Sequence, residues 1–163
     1  MSIQIQPLTA EHRRAVIDIF NHYVEHGFAA YPETPVPYEF FDMFLGMAQH
    51  YPAVVVTDES QGVVGFGLLR AYHPMAAFRR TAQVSYFIAP DRTGNGIGEA
   101  VLAHLETEAR KLGIDTLLAD ISSLNDGSIR FHTRHGFEPC GRFEKVGRKL
   151  GQEFDQVWMR KRL

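Results

Sequence analysis

The chain has 163 residues, 45% of them hydrophobic and 22% charged, so it carries enough apolar material for a core, and one domain spanning 1–163 is the expectation. A net charge of −2 gives no broad electrostatic reason to bind nucleic acid or an acidic membrane, and Arg79-Arg80 and Arg160-Lys161-Arg162 are too short to make such a face. Cys140 is the only cysteine, the first six residues lack the basic start and apolar stretch of a signal peptide, and no apolar run nears the roughly 20 residues that span a bilayer, so an internal disulfide is excluded and a soluble cytoplasmic protein is expected.

Ile3 and Ile5 alternate in a short first strand. Thr9 is placed to cap the helix that follows, with Glu11 in its first turn. Val16, Ile17, Phe20, Tyr23 and Val24 share one helical face, and Gly27 ends the helix. His22 and His26 are four apart, but no third ligand is evident, so no metal site is expected. Residues 28–37 hold Pro32, Pro35 and Pro37 and form a loop, with Phe28 and Tyr31 suggesting that it packs. A second helix follows with Phe40, Phe41, Phe44, Leu45 and Ala48 inward, while Met43 and Met47 add adaptable apolar surface. That face is either core or one wall of a ligand pocket; its spacing fits core at most positions, and the loop before the helix is the expected ligand contact.

Residues 53–57 and 63–70 are strands joined by hairpin-turn chemistry at 58–62. Residues 71–78 form a loop carrying Tyr72, His73, Met75 and Phe78, and 81–89 form a longer strand. A helix with the stripe Val101, Leu102, Leu105 and Ala109 closes at Gly113. Residues 116–121 are a strand, and Asn125 or Asp126 caps a short helix over 127–135. Residues 137–146 and 153–161 are strands around a hairpin turn at 147–151. The order is β-α-α-β-β-β-α-β-α-β-β: an antiparallel meander, then a crossover that makes one parallel pair. This is mixed α+β, a mostly antiparallel twisted sheet flanked by helices, and no repeat or domain boundary interrupts it.

Between the strand at 81–89 and its helix runs Thr93-Gly94-Asn95-Gly96-Ile97-Gly98-Glu99. Alternating glycines leave backbone N–H groups unshielded, and the helix adds its free N–H groups and the positive end of its dipole. Such a turn suits an anion, above all phosphate. It is not a dinucleotide fingerprint: antiparallel strands precede it, and a third glycine in that spacing would fall at Glu99. No lysine followed by serine or threonine comes after the loop, so it is not a P-loop.

The element order, the loop 93–98, and the run from Asn125 through a short helix to Gly136-Phe137 resemble the GNAT superfamily of N-acetyltransferases. Residues 125–129, 143–149 and 155–159 resemble its phosphinothricin and methionine sulfoximine acetyltransferase branch. The resemblance implies acetyl-CoA, with its pyrophosphate on the N–H groups of Gly94, Asn95, Gly96, Ile97, Gly98 and Glu99, beside Thr93. The pantetheine arm would run between Phe87-Ile88-Ala89 and the strand ending near Ser122, within reach of Asn125, Ser128 and His132. The oxyanion donor would be a backbone N–H near Phe87-Ile88, and branch members are often homodimers.

Departures from the branch shape the rest. Thr93 stands where Gln or Arg is usual, with Arg92 one place earlier. Gln83 stands where the branch has a glutamate base, and an amide takes up no proton near neutral pH. His73 and Met75 stand where the branch has substrate-holding arginines, with Arg79 and Arg80 nearby. A primary amine of pKa about 10 is neutral in roughly one molecule per thousand at pH 7, a handicap of about 4 kcal/mol that a base reduces. Candidates for the missing base are Glu33, Glu39 and His73. His132 is either the proton source for the departing thiolate or a packed residue beside it, and Tyr86 faces either cleft or core. Candidate catalytic residues are therefore His132, Gln83 and Tyr86, and expected acceptor contacts are Phe28, Tyr31, Glu33, Tyr72 and His73. The reading is an acetyl-CoA-dependent N-acetyltransferase of a small primary amine. The alternatives are an acyl-CoA-binding module without transfer, or an enzyme acting on a protein or peptide amine.

Overall fold

A computed structural model describes residues 2–163. The elements follow the expected order: β1 Ile3–Pro7, α1 Arg13–Glu25, α2 Phe41–Ala48, β2 Ala53–Asp58, β3 Gly62–Ala71, β4 Thr81–Ile88, α3 Ile97–Lys111, β5 Thr116–Ser122, α4 Asp126–Arg134, β6 Glu138–Lys149 and β7 Gln152–Arg162. The strands form a seven-stranded sheet in the order β1-β2-β3-β4-β5-β7-β6, antiparallel at every neighbour except β4 and β5.

Strand alternation assigns two faces. Ala82 and Val84 of β4 and Leu117, Ala119 and Ile121 of β5 pack with Val101, Leu105 and Ala109 of α3. Val55, Phe66 and Leu68 turn the other way and pack with Val16, Phe20 and Val24 of α1 and Phe41 and Phe44 of α2. Gly67 lets α3 lie close against β3: a Cβ there would meet Val101 Cγ1 at 2.5 Å and Tyr86 Cβ at 3.3 Å.

Two expectations shift. Thr9 begins a short 3-10 turn, Ala10–His12, so α1 starts later, at Arg13, and Glu11 lies in the turn. The β6–β7 turn is shorter than expected because β6 runs on to Lys149. The reversal is left to Leu150 and Gly151, both at positive φ, 51° and 73°, as a two-residue hairpin turn requires. Gly147 belongs to the strand, where its missing side chain makes room for the Phe154 ring, which a Cβ would meet at 2.2 Å.

Candidate active site

The parallel strands β4 and β5 are registered only at Thr81↔Thr116, Ala82↔Leu117 and Gln83↔Leu118. Beyond that they part, and a cleft of about 1140 Å³ opens between them. Hydrogen-bonded pairs alternate along an antiparallel ladder. The Ala89 N–H donates to Val64 O, so the Phe87–Phe66 pair is also bonded and Ile88 turns its N–H and C=O away from β3, toward the cleft. The Tyr23 hydroxyl donates to that Ile88 carbonyl at 2.5 Å. Tyr23 therefore lines the cleft, a position that its place in the α1 stripe did not reveal.

At one end stands the glycine loop. Gly94 and Gly96 hold φ of 77° and 78°, a conformation costly for any residue with a Cβ. The first helical bond of the turn runs from Ala100 N–H to Gly96 O, so the N–H groups of Ile97, Gly98 and Glu99 have no acceptor among the described residues. The side chains beside them shape the loop. The Thr93 hydroxyl donates to Pro90 O, and Asn95 Nδ2 donates to Arg92 O at 3.2 Å and Thr93 O at 3.3 Å. Arg92 is buried and pairs with Asp58 at 2.8 Å and with Gln61, tying the loop to the β2–β3 turn. The Ser60 hydroxyl bond first, then that from Arg92, hold the Asp58 carboxyl well below the usual carboxylate range. A Cβ at Gly98 would sit in ordinary contact with the Phe131 ring of α4, at 3.4 Å.

On the α3 side of the cleft, Tyr86 and α4 form a chain of bonds. Asn125 caps α4, its Oδ1 accepting from the Ser128 N–H at 3.3 Å, which leaves Nδ2 as its remaining donor group. One turn on, His132 Nδ1 lies 2.7 Å from Ser128 O. A carbonyl only accepts, so Nδ1 carries the proton and Nε2 is the acceptor. The Tyr86 hydroxyl meets Nε2 at 2.5 Å and must be the donor. Burial keeps His132 below the usual histidine value and pushes the Tyr86 hydroxyl up, so both are neutral. Tyr86 thus does both things that alternation left open: it packs at the edge of the α3 core and is also one of the residues lining the cleft.

On the α1/α2 side the cleft has an aromatic wall, Phe20, Phe40, Phe44, Phe66 and Phe87, joined by Met43 and Met47. The helix face that read as core at most of its positions is both core and wall, since Phe44 is buried and also lines the cleft. Opposite stands a polar cluster. Asp120 accepts from Gln83 Nε2 at 3.3 Å and from Gln156 Nε2 at 2.9 Å, and Arg70 Nη2 lies 3.6 Å away. Arg70 Nη1 also donates to the Ser85 hydroxyl. Burial pushes the Tyr31 hydroxyl up, and the neighbouring Asp120 carboxylate raises it further.

Of the expected acceptor contacts, Tyr31 lines the cleft, whereas Phe28, Glu33, Tyr72 and His73 are not among its lining residues. Phe28 packs on Phe154, Glu33 and Glu39 are exposed, and Tyr72 and His73 pack with Phe78 in a separate exposed cluster. Arg80 pairs with Asp115 and Arg79 is exposed, so the arginine at the acceptor end is Arg70. Gln83 does not line the cleft but reaches Asp120, which does. The sequence held a signal for Asp120: it is the polar residue between Ala119 and Ile121, hence on the face opposite the α3 core. Buried Lys149 closes the loop after α1 over this end, donating to Ala30 O at 2.6 Å and Tyr23 O at 3.2 Å.

A model of the Acetyltransferase (GNAT) family matches residues 16–137. The chain belongs to that family. Among GNAT relatives, the L-methionine sulfoximine/L-methionine sulfone acetyltransferase of Pseudomonas aeruginosa is 32% identical, with 98% of this chain and 94% of that protein aligned. The crystal structure of a phosphinothricin acetyltransferase from Sinorhizobium meliloti in complex with acetyl-CoA is similar at a TM-score of 0.93 and 30% identity, over 100% of this chain and 89% of that one. A ribosomal-protein-alanine N-acetyltransferase from Brucella melitensis is similar at 0.90 and 34%, over 98% and 99%. The GNAT chain described here has groups that fit acyl-CoA: unpartnered N–H groups at the head of α3 for phosphate, and a parted strand edge where Ile88 offers backbone groups to an extended arm.

Proposed function

We propose that this protein is an acetyl-CoA-dependent N-acetyltransferase acting on the primary amine of a small molecule. One observation carries the reading: a continuous cleft joins the anion-binding turn at Gly94–Glu99 to the aromatic and charged pocket around Phe44, Arg70 and Asp120. A cleft above the usual 300–1,000 Å³ of small-molecule sites suits two ligands end to end.

Acetyl-CoA supplies the activated acetyl group. The N–H groups of Gly94 to Glu99 take its pyrophosphate, Asn125 and Ser128 flank its arm, and the Ile88 N–H receives the oxygen that becomes negative during attack. The Tyr86 hydroxyl, whose one hydrogen rests on His132 Nε2 in the free protein, turns it to the leaving thiolate and is the proton donor there. Neutral His132, its Nε2 unprotonated, orients that hydroxyl and does not supply the proton itself. The aromatic wall suits an acceptor with an apolar body.

The decisive assay measures thiol release from acetyl-CoA across a panel of small amines and short peptides. Turnover with small amines is expected. Tight acetyl-CoA binding with no turnover of any amine overturns the reading in favour of a binding module, and turnover confined to peptides overturns the small-molecule acceptor. The peptide reading draws its support from the likeness to the Brucella melitensis protein.

We read residues 1–163 as one catalytic domain in a cytoplasmic homodimer. Among the described residues no helix is long and apolar enough to cross a membrane. Edge strand β6 is exposed along most of its length, with Phe143 and Val146 more than half exposed, which suits contact with a second copy. Light scattering that gives a monomer mass would contradict the dimer.

A further inference from the structure

We infer that Asp120 is the proton acceptor for the acceptor amine, and that Gln83 and Gln156 aim it. The inference rests on the acetyltransferase reading above. Among the described residues lining the cleft, the only carboxylates are Glu99 and Asp120. Glu99 belongs to the phosphate end, beside His135 at 3.9 Å. Asp120 is therefore the one carboxylate at the acceptor end.

Its coordination leaves room for a substrate. A carboxylate offers about four lone-pair sites. Gln83 takes one on Oδ1, Gln156 one on Oδ2 and the Tyr31 hydroxyl a third, while Arg70 at 3.6 Å is too distant for a full hydrogen bond, which leaves one site for a substrate. These two amides can only donate to the carboxylate through their N–H groups, so they fix its orientation without taking its proton-accepting role. Arg70 is itself held by Ser85, so the pair is not a closed bidentate fork.

The position suits the task. Continuing the Gln83↔Leu118 register sets Asp120 level with Ser85, about 7–10 Å along β4 from Phe87 and Ile88. An amine nitrogen about 3 Å from the thioester carbon, linked to a carboxylate directly or through one water, spans that interval. Asp120 also shares its face with Gln83 and Ser85, whereas Tyr86 lies on the other, so acceptor and leaving group have separate proton partners.

The nitrogen of the neutral amine forms a bond to the thioester carbon and becomes positively charged. Its proton passes to an Asp120 oxygen, directly or through one water, and then to solvent. The carbon–sulfur bond breaks, the electron pair leaves on sulfur, and sulfur takes a proton from the Tyr86 hydroxyl, which is restored from solvent.

Three measurements test this with an amine that the unaltered enzyme acetylates. Asp120→Asn is expected to lower kcat/KM for the amine by about 10²–10⁴-fold, with the Kd for acetyl-CoA by calorimetry within about twofold of the unaltered value. Asp120→Ala is expected to regain activity as formate is added, a response that a purely structural residue would not give. Asp120→Asn activity within about threefold of the unaltered enzyme overturns the inference and leaves the acetyltransferase reading standing. Loss of acetyl-CoA binding in both variants, with no response to formate, marks Asp120 as structural and also overturns it. If the unaltered protein acetylates no amine, the acetyltransferase reading fails and the inference falls with it.

Discussion

The two faces of the β4–β5 wedge are made from the same strands by different means. On the α3/α4 face the working groups are backbone N–H groups at a helix start and two neutral side chains, Tyr86 and His132, locked by Ser128. On the α1/α2 face they are charged or amide side chains drawn from four separate strands: Arg70 from β3, Gln83 from β4, Asp120 from β5 and Gln156 from β7. Under the proposed function, the first face grips a donor whose phosphates and arm are constant. The other presents an arrangement that a few substitutions would rewrite for a different acceptor. The alternation of β-strand side chains keeps the two tasks on opposite sides of one opening.

Perturbing one face at a time sharpens this division. The largest effect outside Asp120 is expected from Tyr86→Phe, which removes the hydroxyl on the α3/α4 face. Steady-state kinetics should show kcat lower by about 10²-fold with the acceptor KM nearly unchanged. A rise in acceptor KM instead would put Tyr86 on the acceptor side and break the comparison. Gly67→Ala comes next. The added Cβ has no room between Val101 and Tyr86, and overpacking should cost about 1–3 kcal/mol, read as a lower urea midpoint. Gly96→Ala forces a left-handed conformation costing about 1–2 kcal/mol. It should weaken acetyl-CoA binding by about 5–30-fold in calorimetry while leaving the acceptor KM unmoved.

The smallest effect is a pH slope. Burial lowers the His132 pKa in the folded protein, so between the unfolded value near 6.5 and the lowered folded value the unfolded chain binds the extra proton. The stability contributed by keeping His132 neutral is full above about pH 6.5 and is lost as pH falls below it. Comparing urea midpoints at pH 7.5 and pH 5.5, His132→Phe should lose less stability on acidification than the unaltered protein. An equal loss would mean that His132 carries a proton when folded, and that the Tyr86 bond runs the other way.

How much of this could be read from the chain differs between the same two faces. The α3/α4 face is local: the glycine loop, the capping Asn125 and the helical spacing of Ser128 and His132 each lie within a few residues, and all are visible as motifs. The antiparallel meander and the parallel crossover were legible in the element order, whereas the insertion of β7 between β5 and β6 was not. The α1/α2 face is assembled from distant segments, and sequence order says little about which polar residues meet. Residues 28–37 and 71–78 drew attention for their aromatics, yet Phe28, Tyr72 and His73 pack with neighbours such as Phe154 and Phe78, away from the cleft lining. Gln83 looked like a base lost. Its partner Asp120 lies 37 residues further on and comes beside it only because β4 and β5 pair in parallel.

The most direct test of the two-faced wedge is a crystal structure with acetyl-CoA and a slow amine acceptor. The thioester oxygen is expected at the Ile88 N–H, the sulfur within hydrogen-bond reach of the Tyr86 hydroxyl, and the acceptor nitrogen on the opposite face, linked to Asp120 directly or through one water. An acceptor nitrogen seated on the Tyr86 side, or a pantetheine arm lying outside the β4–β5 opening, would contradict it.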